Sequence, residues 1–178
     1  RLLEEKFSPY FIMASFLLRT GISLPFKFKS HGILLRMHPS SITLGLWRGR
    51  YSIEADRVII DNLIREDFIC FDVGANIGHL SILMAKKASS GLVISIEPQP
   101  KVFAYLLDNI QINGIENIIP INIAISEENG ITEFYSFNYA DDQSALVIDK
   151  QWKFKMVKVL SLRLDSLLKI LKLNKIDF

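Results

Sequence analysis

The sequence predicts an α/β fold: an open parallel sheet with helices on its faces, led by a short accessory segment. Three observations carry that reading. "FICFDV" and "GLVISIE" are continuous apolar runs of strand length, as expected of strands buried on both faces. Stretches with apolar residues at helical spacing separate such runs, and this alternation is what right-handed crossovers in a parallel sheet produce. The first run passes through the turn "GANIG" straight into an apolar helix.

Taken in chain order, residues 2–19 have helical character until Gly21 and Pro25 interrupt it. Between Phe26 and Tyr51, "GILLRM", "SITLGLW" and "YSIE" are punctuated by Gly32, Pro39, Gly45 and Gly49, which predicts short strands joined by turns. Residues 1–50 form the accessory segment, and residues 51–178 form the sheet domain. In "EADRVIIDNLIRED" the spacing of Val58, Ile59, Leu63 and Ile64 suits one face of a helix. Strand 68–73, helix 79–88 and strand 91–97 follow. In "KVFAYLLDNIQING", Phe103, Leu106, Leu107 and Ile110 share a helical face and Gly114 marks the stop.

"NIIPINIAIS" reads as a third strand, and the Asn129-Gly130 turn predicts a hairpin strand after it. "VKVLSL" is a further strand. "DSLLKILKL" is a short helix that Asp165 or Ser166 can cap. "KIDF" begins one more strand. The chain opens on Arg1 and closes on that strand, so it is expected to be a fragment of a longer protein whose C-terminal strands are missing.

A chain of 178 residues fits one domain and buries a sizeable core. The net charge of +2, from 21 basic and 19 acidic residues, makes no electrostatic case for a nucleic-acid partner. Cys70 is the only cysteine and lies in an apolar strand, so core packing is expected, with no disulfide and no metal centre. The run Tyr10 to Leu18 is too short to span a bilayer, so no transmembrane segment and a cytoplasmic location are expected.

Open parallel sheets bind ligands beyond the carboxyl ends of their strands. Gly74 and Gly78 remove side chains where backbone must approach a ligand or pack closely, and Asn76 between them tolerates positive φ. The helix that follows offers free N–H groups and partial positive charge. The turn reads D-x-G-x-N-x-G, so its last glycine falls one residue earlier than the dinucleotide pattern G-x-G-x-x-G requires. Glu97 closes the next strand, where a carboxylate can accept hydrogen bonds from both hydroxyls of a ribose. Pro98 and Pro100 stiffen the exit and offer an apolar surface to a flat base.

The turn resembles the first motif of S-adenosylmethionine-dependent class I methyltransferases, whose sheet is Rossmann-like. The segments "DVGANIGHLS", "ISIEPQPKVFAYLLDNIQING", "INIAISEENGITEFY" and "VKVLSLRLDSLL" resemble one family within that class, the FkbM-type methyltransferases. The resemblance covers about residues 51–178. It implies S-adenosylmethionine as methyl donor and a hydroxyl of a sugar, polysaccharide or secondary metabolite as acceptor. By the same resemblance Asp72, Gly74, Asn76, Ile77 and Gly78 form the loop against the methionine portion. Glu97 holds the ribose, Pro98 and Ala124 lie near adenine, and Glu54 helps hold the amino-acid end.

Methyl transfer to a hydroxyl needs in-line positioning and a proton acceptor. His79, Asp141 and Asp142 are the candidates, and packing at a helix start or solvation in a loop is the plainer reading of each. His31 and His38 are expected to decorate turns. Trp47 and Tyr51 are expected to pack, with stacking on a sugar as the alternative. Two other readings stand beside the methyltransferase: a nicotinamide-dependent oxidoreductase on a similar sheet, and a non-catalytic remnant that keeps cofactor binding.

Overall fold

The computed structural model describes residues 9–137 and 154–178. Helix α1 (Pro9–Thr20) stops at Gly21, whose φ of +68° no helix continues. Strands β1 (Lys27–Ser30) and β2 (Ile33–Arg36) pair antiparallel across a two-residue turn. His31 and Gly32 both take positive φ there, at 51° and 84°, as such tight turns demand.

"SITLGLW" departs from expectation. It forms helix α2 (Ser41–Trp47), not a strand, because the Ser40 hydroxyl accepts the Thr43 N–H and starts the first turn. Burial of Ile42, Thr43, Leu44 and Leu46 then outweighs the strand preference of its β-branched residues.

Helix α3 (Glu54–Leu63) forms as expected, but the four apolar residues do not share one environment. Ile53, Ile60 and Ile64 are buried, whereas Val58, Ile59 and Leu63 are 60%, 45% and 58% exposed. The segment has apolar residues on two faces, and its periodicity alone does not say which meets the sheet.

Strands β3 (Ile69–Val73), β4 (Leu92–Ile96) and β5 (Ile118–Ile121) form a parallel sheet in the order β3-β4-β5. The crossovers are α4 (His79–Lys87) and α5 (Pro100–Asn113), which touch each other on one face of the sheet. Val102, Tyr105, Leu106, Asn109 and Ile110 form the buried face of α5, and Leu107 points outward, against expectation. Cys70 is fully buried in β3, and burial pushes its thiol up to about 11, so it is an unreactive core residue.

The third apolar run is two strands. After β5 the chain steps through Asn122 and Ile123 into β6 (Ala124–Ile125), which belongs to a second sheet. That sheet has β8 (Phe154–Leu162) at its centre, parallel to β6 and antiparallel to β7 (Gly130–Phe137). The Asn129-Gly130 turn therefore does not fold β7 back onto β6, since β8 lies between them. Helix α6 (Leu164–Leu171) is capped by neither Asp165 nor Ser166. Asn129 serves its N-terminus: Oδ1 accepts the Arg163 N–H and Nδ2 donates to the Ser166 hydroxyl. Leu167 of α6 packs with Ile94, Ile96 and Ile123, so helices cover both faces of the parallel sheet.

The "KIDF" segment reaches the edge of β3 away from β4. Asp177 N–H donates to the Ile69 carbonyl, and Phe71 N–H donates to that of Phe178. Strands β3 to β5 run outward one way, and the chain then returns to the opposite side of β3. That reversal is a topological switch point at the carboxyl end of β3. Among the described residues no helix is long and apolar enough to cross a membrane.

Gly91 turns the chain into β4 against the β3 backbone, and a Cβ there would sit 2.1 Å from the Phe68 carbonyl oxygen. Gly91→Ala is expected to cost about 1–3 kcal/mol and to lower the melting temperature by about 3–10 °C, read by thermal denaturation.

Candidate functional site

The turn after β3 is held by its own polar groups. Asp72 accepts from both the hydroxyl and the backbone N–H of Ser81, so β3 supplies the acceptor that the first turn of α4 lacks. Burial raises the Asp72 pKa, and the two Ser81 bonds oppose that rise. Gly74 and Ala75 donate to the Ile96 carbonyl, Asn76 to Glu97 Oε2, Ile77 to the Asn76 side chain, and Gly78 to the Ala75 carbonyl. Every N–H from 74 to 78 is thus already donated within the protein. A pyrophosphate, which needs such groups aimed at it, finds none among these five.

The residues expected to form the loop divide into two kinds. Gly74, at φ +86°, has no atom within 4 Å of where a Cβ would stand, so the backbone there borders open space. Gly78, at φ +81°, faces inward, and a Cβ would meet Leu106 Cδ1 at 2.3 Å. Ile77 is fully buried and Asn76 nearly so, at φ +51°. Gly74 borders the opening, while Ile77 and Gly78 fasten the turn to α5.

Glu97 is buried at the carboxyl end of β4. Its Oε2 accepts the Asn76 N–H at 3.0 Å and its Oε1 the Gln99 N–H at 2.8 Å, which fixes the carboxylate between the turn and the strand exit. A carboxylate's acceptor capacity exceeds two bonds. Asn122 Nδ2 donates to the carbonyls of Glu97 and Pro98, tying the end of β5 to the exit of β4. Pro98 is buried at the exit of β4, and Ala124, also buried, opens β6.

His79 is buried at the start of α4, edge-on to Tyr51 with ring centroids 5.8 Å apart. Among the described residues neither ring nitrogen has a hydrogen-bond partner. Burial, with a smaller contribution from His31, pushes its pKa down to about 4. Glu54 is exposed and lies 3.3 Å from His31 Nε2 at the β1–β2 turn. Asp141 and Asp142 lie outside the described residues. His31 occupies a turn as expected, but His38 does not: it is buried and stacked on Tyr105 at 4.2 Å. Its Nδ1 lies 2.8 Å from the Ser23 hydroxyl and its Nε2 3.0 Å from Asp108, and burial holds its pKa at about 4.

Three residues that the sequence reading passed over hold these parts together: Ser81, Asn109 and Asn113. Asn109 Oδ1 accepts the Arg36 N–H of β2, and its Nδ2 donates to the Ile77 carbonyl of the turn. Asn113 exchanges both bonds with the backbone of Leu34. The β1–β2 hairpin thus docks on α5, behind the turn. The detectable signal was the i, i+4 pair of asparagines on the buried face of an amphipathic helix.

The model of the TRM5/TYW2 methyltransferase domain matches residues 28–137. The chain is 32% identical over 94 residues to the tRNA(Phe) (4-demethylwyosine(37)-C(7)) aminocarboxypropyltransferase of Methanocaldococcus jannaschii, covering 52% of this chain and 35% of that protein. It is 35% identical over 69 residues to the tRNA (guanine(37)-N(1))-methyltransferase Trm5b of Pyrococcus abyssi, covering 39% and 20%. The chain therefore spans about a third or less of these curated relatives. The crystal structure of M. jannaschii TYW2 with AdoMet is similar at 24% identity and a TM-score of 0.42, covering 58% of this chain and 51% of that one.

The match is to TRM5/TYW2, not to the FkbM-type family. Both curated relatives are named for tRNA, which overturns the expectation of a sugar or metabolite hydroxyl as acceptor and of no nucleic-acid partner.

Asn109→Asp keeps an acceptor for Arg36 and loses the donor to Ile77. Hydrogen exchange at the turn amides 76–78 is expected to speed up about tenfold, whereas Asn113→Asp should affect only residues 33–36. Equal effects on the turn would refute the bridge.

Two buried histidines with folded pKa near 4, against the ordinary 6.5, make unfolding take up protons between those values. Stability should fall as pH drops from about 6.5 towards 4, by at most about 1.4 kcal/mol per pH unit for each histidine. Denaturant unfolding across that range measures it.

Proposed function

The chain belongs to the TRM5/TYW2 methyltransferase domain family, an S-adenosylmethionine-dependent class I methyltransferase family, and we propose that it uses this donor to methylate a base of tRNA. The observation that carries the reading is the family match over residues 28–137, which includes the whole turn and Glu97. The chemistry of the site supports it. S-adenosylmethionine has a ribose diol and no phosphate, and the turn offers a buried carboxylate and no undonated N–H from 74 to 78. The same accounting disfavours a nicotinamide dinucleotide, which must seat a pyrophosphate.

When bound, the donor supplies an electrophilic methyl group on a sulfonium. Glu97 accepts hydrogen bonds from the ribose hydroxyls, and its bonds to Asn76 and Gln99 keep it from turning away. Gly74 lets the methionine portion approach the backbone, because no side chain fills that space. Pro98 and Ala124 provide an apolar wall for adenine. Rate comes from alignment of the acceptor atom opposite the leaving sulfur. We assign His79 to packing against Tyr51, since a pKa near 4 makes it a weak proton acceptor. The names of the two curated relatives differ in the group moved, methyl in one and aminocarboxypropyl in the other. The methyl group is our reading for this chain.

Calorimetry should show binding of S-adenosylmethionine and S-adenosylhomocysteine but not of NAD. Glu97→Ala should weaken donor binding by about 10- to 100-fold, and unchanged affinity would refute its role. Incubation of unmodified tRNA with methyl-labelled donor should label the RNA, and a labelled free sugar in its place would overturn the acceptor.

A further inference from the structure

Asn109 does more than hold the hairpin. Its Nδ2 donates to the Ile77 carbonyl at 2.9 Å, and the N–H of Ile77 donates to Asn76 Oδ1 at 2.8 Å. The Asn76 N–H in turn donates to Glu97 Oε2 at 3.0 Å. With the Arg36 N–H on Asn109 Oδ1 at 3.0 Å, a continuous run of bonds leads from β2 to the carboxylate assigned to the donor ribose. Asn109 and Ile77 are fully buried, so no solvent competes for these bonds.

Helix α4 does not supply this support. In a helix continued backwards, the Ser81 N–H would pair with the Ile77 carbonyl, but here Asp72 takes it. The amide on α5 provides the donor instead. Asn76 sits at φ +51°, a conformation that a residue with a side chain keeps only where its surroundings fix it. Its own side chain holds the N–H of Ile77, and Asn109 holds the carbonyl. The hairpin end is anchored on the same helix, where Arg36 Nε donates to Asp108 and His38 Nε2 lies 3.0 Å from that carboxylate. Leu106 fills the space at Gly78 independently of these bonds, so removing the amide leaves the turn packed on α5.

We propose that Asn109 is a positioning residue for the methyl donor. Through Ile77 and Asn76 it sets the Glu97 carboxylate where the ribose diol meets it, and it couples that carboxylate to the docking of the hairpin. Asn113, one turn on, is the contrasting case. Its bonds go to Leu34 and to the Asn109 carbonyl, and none goes to the turn. An aliphatic side chain at 109 would leave both the Arg36 N–H and the Ile77 carbonyl unpaired, and only an amide serves the two together. This role rests on Glu97 holding the ribose, as read above.

The test is calorimetry with S-adenosylhomocysteine on the wild-type chain, Asn109→Leu, Asn113→Leu, Glu97→Ala and the double variant Asn109→Leu/Glu97→Ala. Leucine has the branched shape of asparagine and no polar atom. Asn109→Leu should weaken binding about tenfold, and Asn113→Leu by less than about twofold. In the double variant the two losses should not multiply, because the first acts through the group that the second removes. Unchanged affinity in Asn109→Leu, an equal loss in Asn113→Leu, or multiplying losses in the double variant would each overturn the proposal. The second measurement needs no variant. Saturating S-adenosylhomocysteine should slow hydrogen exchange of the Arg36 amide in the wild-type chain, since coupling between two sites is reciprocal. An unchanged rate there overturns the proposal even if the leucine variants do not fold. If Glu97→Ala binds as tightly as wild type, the ribose assignment fails. If Glu97→Ala weakens binding and Asn109→Leu does not, the positioning role alone fails.

Discussion

Asn109 lies fully buried where three segments meet. One end of its amide receives the Arg36 N–H from the hairpin, and the other donates to the Ile77 carbonyl in the turn. One turn earlier on α5, Leu106 fills the space that Gly78 leaves. One turn later Asn113 completes the pairing of β2. A single face of one helix therefore sets both the position of the hairpin and the path of the turn. A buried amide left half-paired costs about 1–3 kcal/mol, so the two are not independently movable.

The turn's hydrogen bonds bear on what it can bind. A glycine turn at a switch point is shared by phosphate-binding and phosphate-free sites, and spacing separates them only partly. Where the N–H groups go is more decisive. Here β4 takes two, Glu97 takes one, and the turn itself takes two. What remains is a bare backbone at Gly74 and a fixed carboxylate, suited to a nucleoside with a free diol.

Charge and fold are distributed separately along this chain. The sheet and its crossovers are acidic on balance, and the segment docked behind the turn is basic. Averaging over the chain cancels the two, so the net charge of +2 describes neither part. A field acts over about a Debye length, so the local sum matters and the total does not.

The sequence by itself determined the parallel core: β3, α4, β4, α5 and β5 stand where their periodicity put them, and so do Asp72, Gly74 and Glu97. Those segments are buried on both faces or strongly amphipathic, and the local pattern has one solution. Only tertiary structure decided that Ser41–Trp47 is helical, that α3 buries Ile60 and not Val58, and that β8 lies between β6 and β7. It also decided that Gly78 packs while Gly74 opens, and that two asparagines clamp the hairpin. In each case the local residues permit two arrangements of similar energy, and the choice is made by a partner distant in the chain.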